Sequence, residues 1–199
     1  MKRLAVFFPG IGYTVDKPLL HYSRRLAEKH GFEIRLLPYG GFPKKVKGDR
    51  DRMLECGRLA CRQAKEMLAD LDYDSYDDIV FVSKSIGTAV AAKLAAKSSA
   101  RERIRFLFYT PLEETFDFPV GRALVFTGSA DPWVGKERIP ALCREAGLPC
   151  VVIPDANHSL ETADPMADLR NMQTIMEKTE DFLLNGASAE EGTAGKAPA

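Results

Sequence analysis

Asp77-Asp78-Ile79-Val80-Phe81-Val82-Ser83-Lys84-Ser85-Ile86-Gly87-Thr88-Ala89-Val90-Ala91-Ala92 joins two kinds of segment at one point. Residues 79–82 form an unbroken apolar, mostly β-branched run, the mark of a strand covered on both faces. From Ile86 onward alanine dominates and the composition favours a helix. The joint between them is Ser83-Lys84-Ser85-Ile86-Gly87. A serine at the tip of a sharp strand-to-helix turn stands clear of the sheet, with a helix N-terminus beneath it. That is how a hydrolase presents a nucleophilic hydroxyl, so Ser85 is the candidate nucleophile.

Outward from this turn, strands and helices alternate. Residues 4–8 read as a first strand, followed by the loop Pro9-Gly10-Ile11-Gly12-Tyr13-Thr14. Residues 17–30 place Leu19, Leu20, Tyr22, Leu26 and Ala27 on one helical face, with Asp16 as the expected N-cap and Gly31 as the stop. A second strand is expected over 32–37. The helix over 50–71 has Met53, Leu54, Leu59, Ala60, Ala64, Met67 and Leu68 as its inner face. Downstream, residues 86–97 are helical and 104–109 a strand, and 110–120 form a short loop. Residues 123–127 are a strand, 136–146 a helix and 150–153 a strand. A last helix over 164–184 turns Leu169, Met172, Ile175, Met176 and Phe182 inward. This alternation predicts a three-layer α/β/α sandwich around a parallel sheet, as one domain over residues 1–184. Residues 185–199 lack large apolar side chains and are expected to be a disordered tail.

A serine hydroxyl is a weak nucleophile at neutral pH. It needs a base, an acid to orient that base, and donors for the oxyanion that forms. In doubly wound sheets such groups gather beyond the carboxyl ends of the strands. The histidines are His21, His30 and His158, and His158 alone lies in a loop after a strand, the first two falling in the predicted surface helix. Asp131 lies in the loop after the preceding strand, so the chain order is Ser85, Asp131, His158. The competing role for Asp131 is an Asx-turn before Pro132. Asp155 and Asp164 are rival acids, but they stand beside the histidine in the chain rather than across from it. Glu161 reads as a cap or surface charge. Lys84 reads as solvent-facing or touching a neighbouring loop, and is not assigned as a base.

On these residues the chain resembles a small α/β-hydrolase. Ser83-Lys84-Ser85-Ile86-Gly87 is similar to the family's G-x-S-x-G elbow, and Gly128-Ser129-Ala130-Asp131-Pro132-Trp133-Val134 to its G-x-x-D-x-x-V acid loop. Asn157-His158-Ser159-Leu160 resembles its histidine loop. Pro9-Gly10-Ile11-Gly12 stands where H-G-x-G follows an early strand. The resemblance covers about residues 1–184. It implies six parallel strands in the order 2-1-3-4-5-6, without two leading antiparallel strands. It also implies the backbone N–H groups of Ile11 and Ile86 as oxyanion donors. Two departures stand out: Ser83 replaces the elbow's first glycine, and Pro9 the usual histidine. The short 110–120 loop leaves no room for a lid. Gly10, Gly12, Tyr13 and Trp133 flank the expected site as candidate pocket lining, with packing the competing role for Trp133.

Composition narrows the partners. Lys+Arg and Asp+Glu are both 28, so the balance is neutral, and no basic stretch is interleaved with aromatics as a nucleic-acid surface would be. No apolar run approaches the ~18 residues of a membrane span, and the apolar run before Pro9 is too short for a signal peptide. Cys56, Cys61, Cys143 and Cys150 form no C-x-x-C pair or metal pattern, which suits free thiols in the cytoplasm. In Gly10-Ile11-Gly12, Val15 stands where a dinucleotide fingerprint needs its third glycine. The expected activity is hydrolysis of a small-molecule carboxylic ester or thioester through an acyl-enzyme on Ser85, with no metal or organic cofactor. The alternatives are a non-catalytic binding or scaffold protein of the same fold, and an acyltransferase.

Overall fold

Alternate residues of a strand face opposite sides, and the central strand of this protein fills a different core with each parity. On β3 (Asp78–Lys84), Ile79 and Phe81 pack under one layer of helices, while Val80 and Val82 pack under another. The structure, a computed structural model, describes residues 1–43, 46 and 49–185. Its elements are β1 (Arg3–Phe8), α1 (Pro18–Lys29), β2 (Phe32–Leu36), α2 (Arg50–Met67), β3, α3 (Ile86–Ala95), β4 (Ile104–Tyr109), β5 (Arg122–Gly128), α4 (Arg138–Glu145), β6 (Cys150–Ile153) and α5 (Pro165–Asn185). All pairings are parallel and the strand order is β2-β1-β3-β4-β5-β6, as the resemblance implied. Helices α2, α3 and α4 cover one face, and α1 and α5 the other. The carboxyl ends of β1, β3, β5 and β6 therefore open side by side along one edge of the sheet.

The opposite edge is held by charge. Arg105 on β4 is buried and donates two hydrogen bonds to Asp78, at 3.0 and 2.7 Å. It also donates to the carbonyls of Phe182 and Leu183 near the end of α5, where helix carbonyls lack intrahelical donors. Arg3 donates to the same carboxylate at 3.1 Å and to the Leu183 carbonyl at 2.7 Å. Asp78→Ala would leave a buried guanidinium without its counter-charge. A loss of about 3–5 kcal/mol is expected, read as a lower urea midpoint at unchanged slope.

Several local expectations are corrected. Asp16 does not cap α1: Lys17 holds the N-cap position without a side-chain bond, and Pro18 starts the helix with its φ already set. Tyr22, Leu54 and Leu169 are exposed. Each lies about 100° around its helix from the centre of the buried stripe, beyond reach of the sheet. Helix α2 stops at Met67 rather than at 71. The expected tail, past Asn185, lies outside the described residues. The four cysteines are free thiols. Among the described residues no helix is long and apolar enough to cross a membrane.

Candidate active site

Ser85 has φ 55° and ψ −128°, a strained backbone for a residue with a Cβ. The surroundings impose it. Its N–H donates to the Tyr109 carbonyl (3.0 Å), and its own carbonyl accepts from the Thr88 N–H (2.9 Å) and hydroxyl (2.6 Å). Gly87 allows the turn to be this tight: a Cβ there would lie 2.3 Å from the Phe8 carbonyl oxygen and 2.6 Å from that of Pro9. Ser83 is no obstacle where glycine is usual. It is still extended strand, paired with Phe8 and Phe108, and its hydroxyl points to the Leu107 carbonyl at 3.4 Å. The bend begins only after Lys84.

Asp131 and His158 come from loops that touch through their backbones. A Cβ on Gly128 would lie 2.1 Å from the Ala156 carbonyl oxygen, so glycine lets the loops after β5 and β6 close on each other. The N–H groups of Ser129 and Ala130 donate to the carbonyls of Ile153 and Ala156, both at 3.0 Å. Asp131 then uses its two oxygens differently. Oδ1 accepts from the Trp133 N–H at 2.9 Å, and Oδ2 lies 2.7 Å from His158 Nδ1. The Asx-turn and the histidine contact coexist on one carboxylate. His158 Nε2 lies 2.8 Å from Ser85 Oγ. An ionised carboxylate only accepts, so Nδ1 carries the proton and Nε2 accepts from the serine hydroxyl. Burial pushes the His158 pKa down, aided by the charge of Lys84 and opposed by Asp131.

The rival acids have other work. The Asp155 side chain is exposed, and Asp164 Oδ1 accepts from the Met166 N–H at 2.9 Å. The Glu161 side chain is exposed. The amides of Ile11 and Ile86 donate no hydrogen bond among the described residues. Gly10 draws the loop after β1 close, since a Cβ there would meet the Ser85 Cβ at 3.2 Å. Tyr13 is fixed by the Leu19 N–H, which donates to its hydroxyl at 3.1 Å. The Trp133 ring lies 5.6 Å from that of His158. Gly12 is exposed at φ +72°, with nothing within 4 Å of where a Cβ would stand.

One residue reverses its expectation. Lys84 is 1% exposed, and its ammonium lies 5.1 Å from the centre of the Tyr13 ring. Burial pulls its pKa down to about 7, against the opposing attraction of Asp131 and Glu161. Strand parity held the signal, since Lys84 shares a face with Val80 and Val82.

A cleft of about 710 Å³ extends from Trp133 between Met53, Leu112, Phe116, Val134 and Arg138. A smaller apolar groove of about 280 Å³ adjoins it between α2 and α3, with Ile86 in its wall. Met53 and Leu112 line both, and neither was read from sequence as cleft lining, Met53 being placed only on the inner face of its helix, because they reach the cleft from elements distant in the chain.

No family model and no curated protein matches this chain. Solved structures do. One is a protein from Xanthomonas campestris pv. campestris assigned to the alpha/beta hydrolase superfamily, with a TM-score of 0.67 and 11% identity over 92% of this chain and 99% of that one. An alpha-beta serine hydrolase homologue from Coxiella burnetii has a TM-score of 0.62 and 17% identity, over 89% of this chain and 84% of that one. Est1E from Butyrivibrio proteoclasticus, solved with ferulic acid bound, has a TM-score of 0.63 and 13% identity, over 92% and 88%. At such identities the likeness is one of fold, and with the strand order and the turn at Ser85 it establishes that this chain has the fold of a small α/β-hydrolase.

Proposed function

We propose that this protein is a serine hydrolase acting on a small-molecule carboxylic ester or thioester. The observation that carries the proposal is the unbroken series from Ser85 Oγ to His158 Nε2 (2.8 Å) and from His158 Nδ1 to Asp131 Oδ2 (2.7 Å). Ser85 attacks the acyl carbon as His158 takes its proton. The carbonyl π pair becomes an oxyanion, which the amides of Ile11 and Ile86 receive, each such donor contributing about 3 kcal/mol. Collapse expels the alcohol or thiol with the proton from His158, leaving the acyl group on Ser85. Water, deprotonated by the same histidine, releases the acid. Asp131 holds the imidazole in the required tautomer throughout.

The cleft beside Trp133 supports a substrate with an apolar portion, since Met53, Leu112, Phe116 and Val134 form its walls. Its rim carries the ion pair of Arg138 with Glu113, at 2.7 Å. The loop after β4 holds only a short 3-10 turn over Glu113–Asp117, so the cleft stays open.

The reaction requires neutral His158, whose ionisation lies below the ordinary imidazole value. Protonation removes the base, so kcat/KM is expected to fall only as pH drops through that lowered value, leaving an acid limb below about pH 6.5. A p-nitrophenyl ester series of graded acyl length, assayed across pH, measures both the limb and the chain-length preference. A fluorophosphonate should add to Ser85, located by peptide mass. Absence of any adduct, with no turnover across the series, would leave a binding protein as the better reading.

A further inference from the structure

We propose that Lys84 is a positioning residue for the reaction centre: from its buried place beneath the site it sets the charge that His158 experiences, and so governs when the histidine is free to act on Ser85. The proposal takes Ser85 as nucleophile and His158 as base.

A lysine usually keeps its ammonium in water by extending along the surface. Lys84 does not, being 1% exposed at the carboxyl end of the central strand. Its side chain falls on the face that also buries Val80 and Val82, under α1 and α5. Among the described residues no carboxylate lies within ion-pair distance of its amine, which rests 5.1 Å from the centre of the Tyr13 ring. Replacing such a group with an apolar side chain of similar shape should favour folding. Its position is therefore poorly explained by stability.

Four elements surround it with titratable groups. Tyr13 comes from the loop after β1. Tyr109 is its partner across the β3–β4 ladder, with the hydroxyl engaged by Ser23 and Thr179. Asp131 follows β5, and His158 and Glu161 follow β6. Both tyrosines are held neutral by burial, since it pushes their ionisation well above the physiological range. The local balance thus reduces to two carboxylates, buried Asp131 and exposed Glu161, and two bases, Lys84 and His158.

Those two bases compete for a proton. With Lys84 charged, a proton on His158 places a second cation within reach of its field, which favours the neutral histidine. Neutral His158 is the form that accepts the Ser85 proton. Lys84 neither gains nor loses a proton in that step; it acts only through the field at the imidazole. Such groups titrate as a linked pair. Burial brings the Lys84 ammonium down to about 7, and His158 lies below the ordinary imidazole value, so the Lys84 charge is present where a proton would reach the histidine.

The test is a ¹⁵N-histidine NMR titration of the resting protein, wild type against Lys84→Met and Lys84→Gln. Both variants remove the charge and are one atom shorter than lysine, and urea denaturation verifies folding. The His158 midpoint should rise by about one unit in both variants, while His21 and His30 stay in place as internal references. With an ester substrate the acid limb of kcat/KM should rise by the same amount, about a tenfold loss per unit at pH values below it. A uniform loss of turnover with an unmoved limb, or an unmoved His158 midpoint in either folded variant, would overturn the proposal. The NMR readout needs no turnover, so a protein that cleaves no ester would refute the hydrolase reading while the link between Lys84 and His158 is still judged.

Discussion

Ser85→Ala is expected to lower kcat/KM toward any ester that the wild type cleaves by roughly 10⁶-fold, and His158→Ala by a similar factor, the scale for groups that act as one unit. The double variant should be no worse than either single one. The reason is geometric. The hydroxyl is useful only while Nε2 receives its proton at 2.8 Å, and the imidazole only while a hydroxyl is there to give it. Asp131→Asn should cost less, roughly 10⁴-fold. The amide can still accept from the Trp133 N–H, but it no longer compels the Nδ1–H tautomer. Single-turnover kinetics on all four variants would measure this, and full turnover in His158→Ala would exclude it as the base. None of the three changes should reduce stability greatly, and Ser85→Gly should release the strain that the serine holds at φ 55°.

Gly87→Ala should be, with Gly128→Ala, among the most damaging single-methyl additions at the described residues. All three of the nearest atoms to its Cβ are backbone: the Phe8 and Pro9 oxygens at 2.3 and 2.6 Å, and the Phe8 carbonyl carbon at 2.8 Å. None can rotate away. Phe8 ends β1, which is paired on both sides by β2 and β3, so α3 has to withdraw instead. Withdrawal strips contacts from the core beneath α3 and costs at least about 3 kcal/mol. It also shifts Ser85 and the Ile86 amide away from the loop carrying Ile11. Stability and turnover should fall together, measured as the urea midpoint and as kcat/KM of the fraction that stays folded. An unchanged midpoint would show that the approach of α3 to β1 is looser than these distances indicate.

The layered fold was readable because it follows from two short periods. Apolar runs such as 79–82 and 106–109 are continuous because both faces are covered, and the intervening helices repeat their apolar residues at helical spacing. Both signals are local. Errors came where the stripe has a finite width, as at Tyr22, Leu54 and Leu169, and at α1, where Lys17 followed by Pro18 took the N-cap position expected of Asp16. Lys84 was misread by residue type, although strand parity alone turned it inward. The lining of the cleft was not readable: Met53 and Leu112 are ordinary apolar residues until α2 and the loop after β4 meet.

The sequence by itself determined which residues lie in loops beyond strand ends, and so brought Ser85, Asp131 and His158 forward as a set in chain order. Only the tertiary structure decided that they meet. Ser85 and His158 are 73 positions apart in the chain, and no local propensity encodes a contact of 2.8 Å across that span. It depends on the order of β3, β4, β5 and β6 in the sheet, and on two places where backbone lies against backbone, Gly87 on Phe8 and Gly128 on Ala156. Those approaches are set by the packing of whole layers. A glycine in the sequence permits them, but only the assembled sheet requires them.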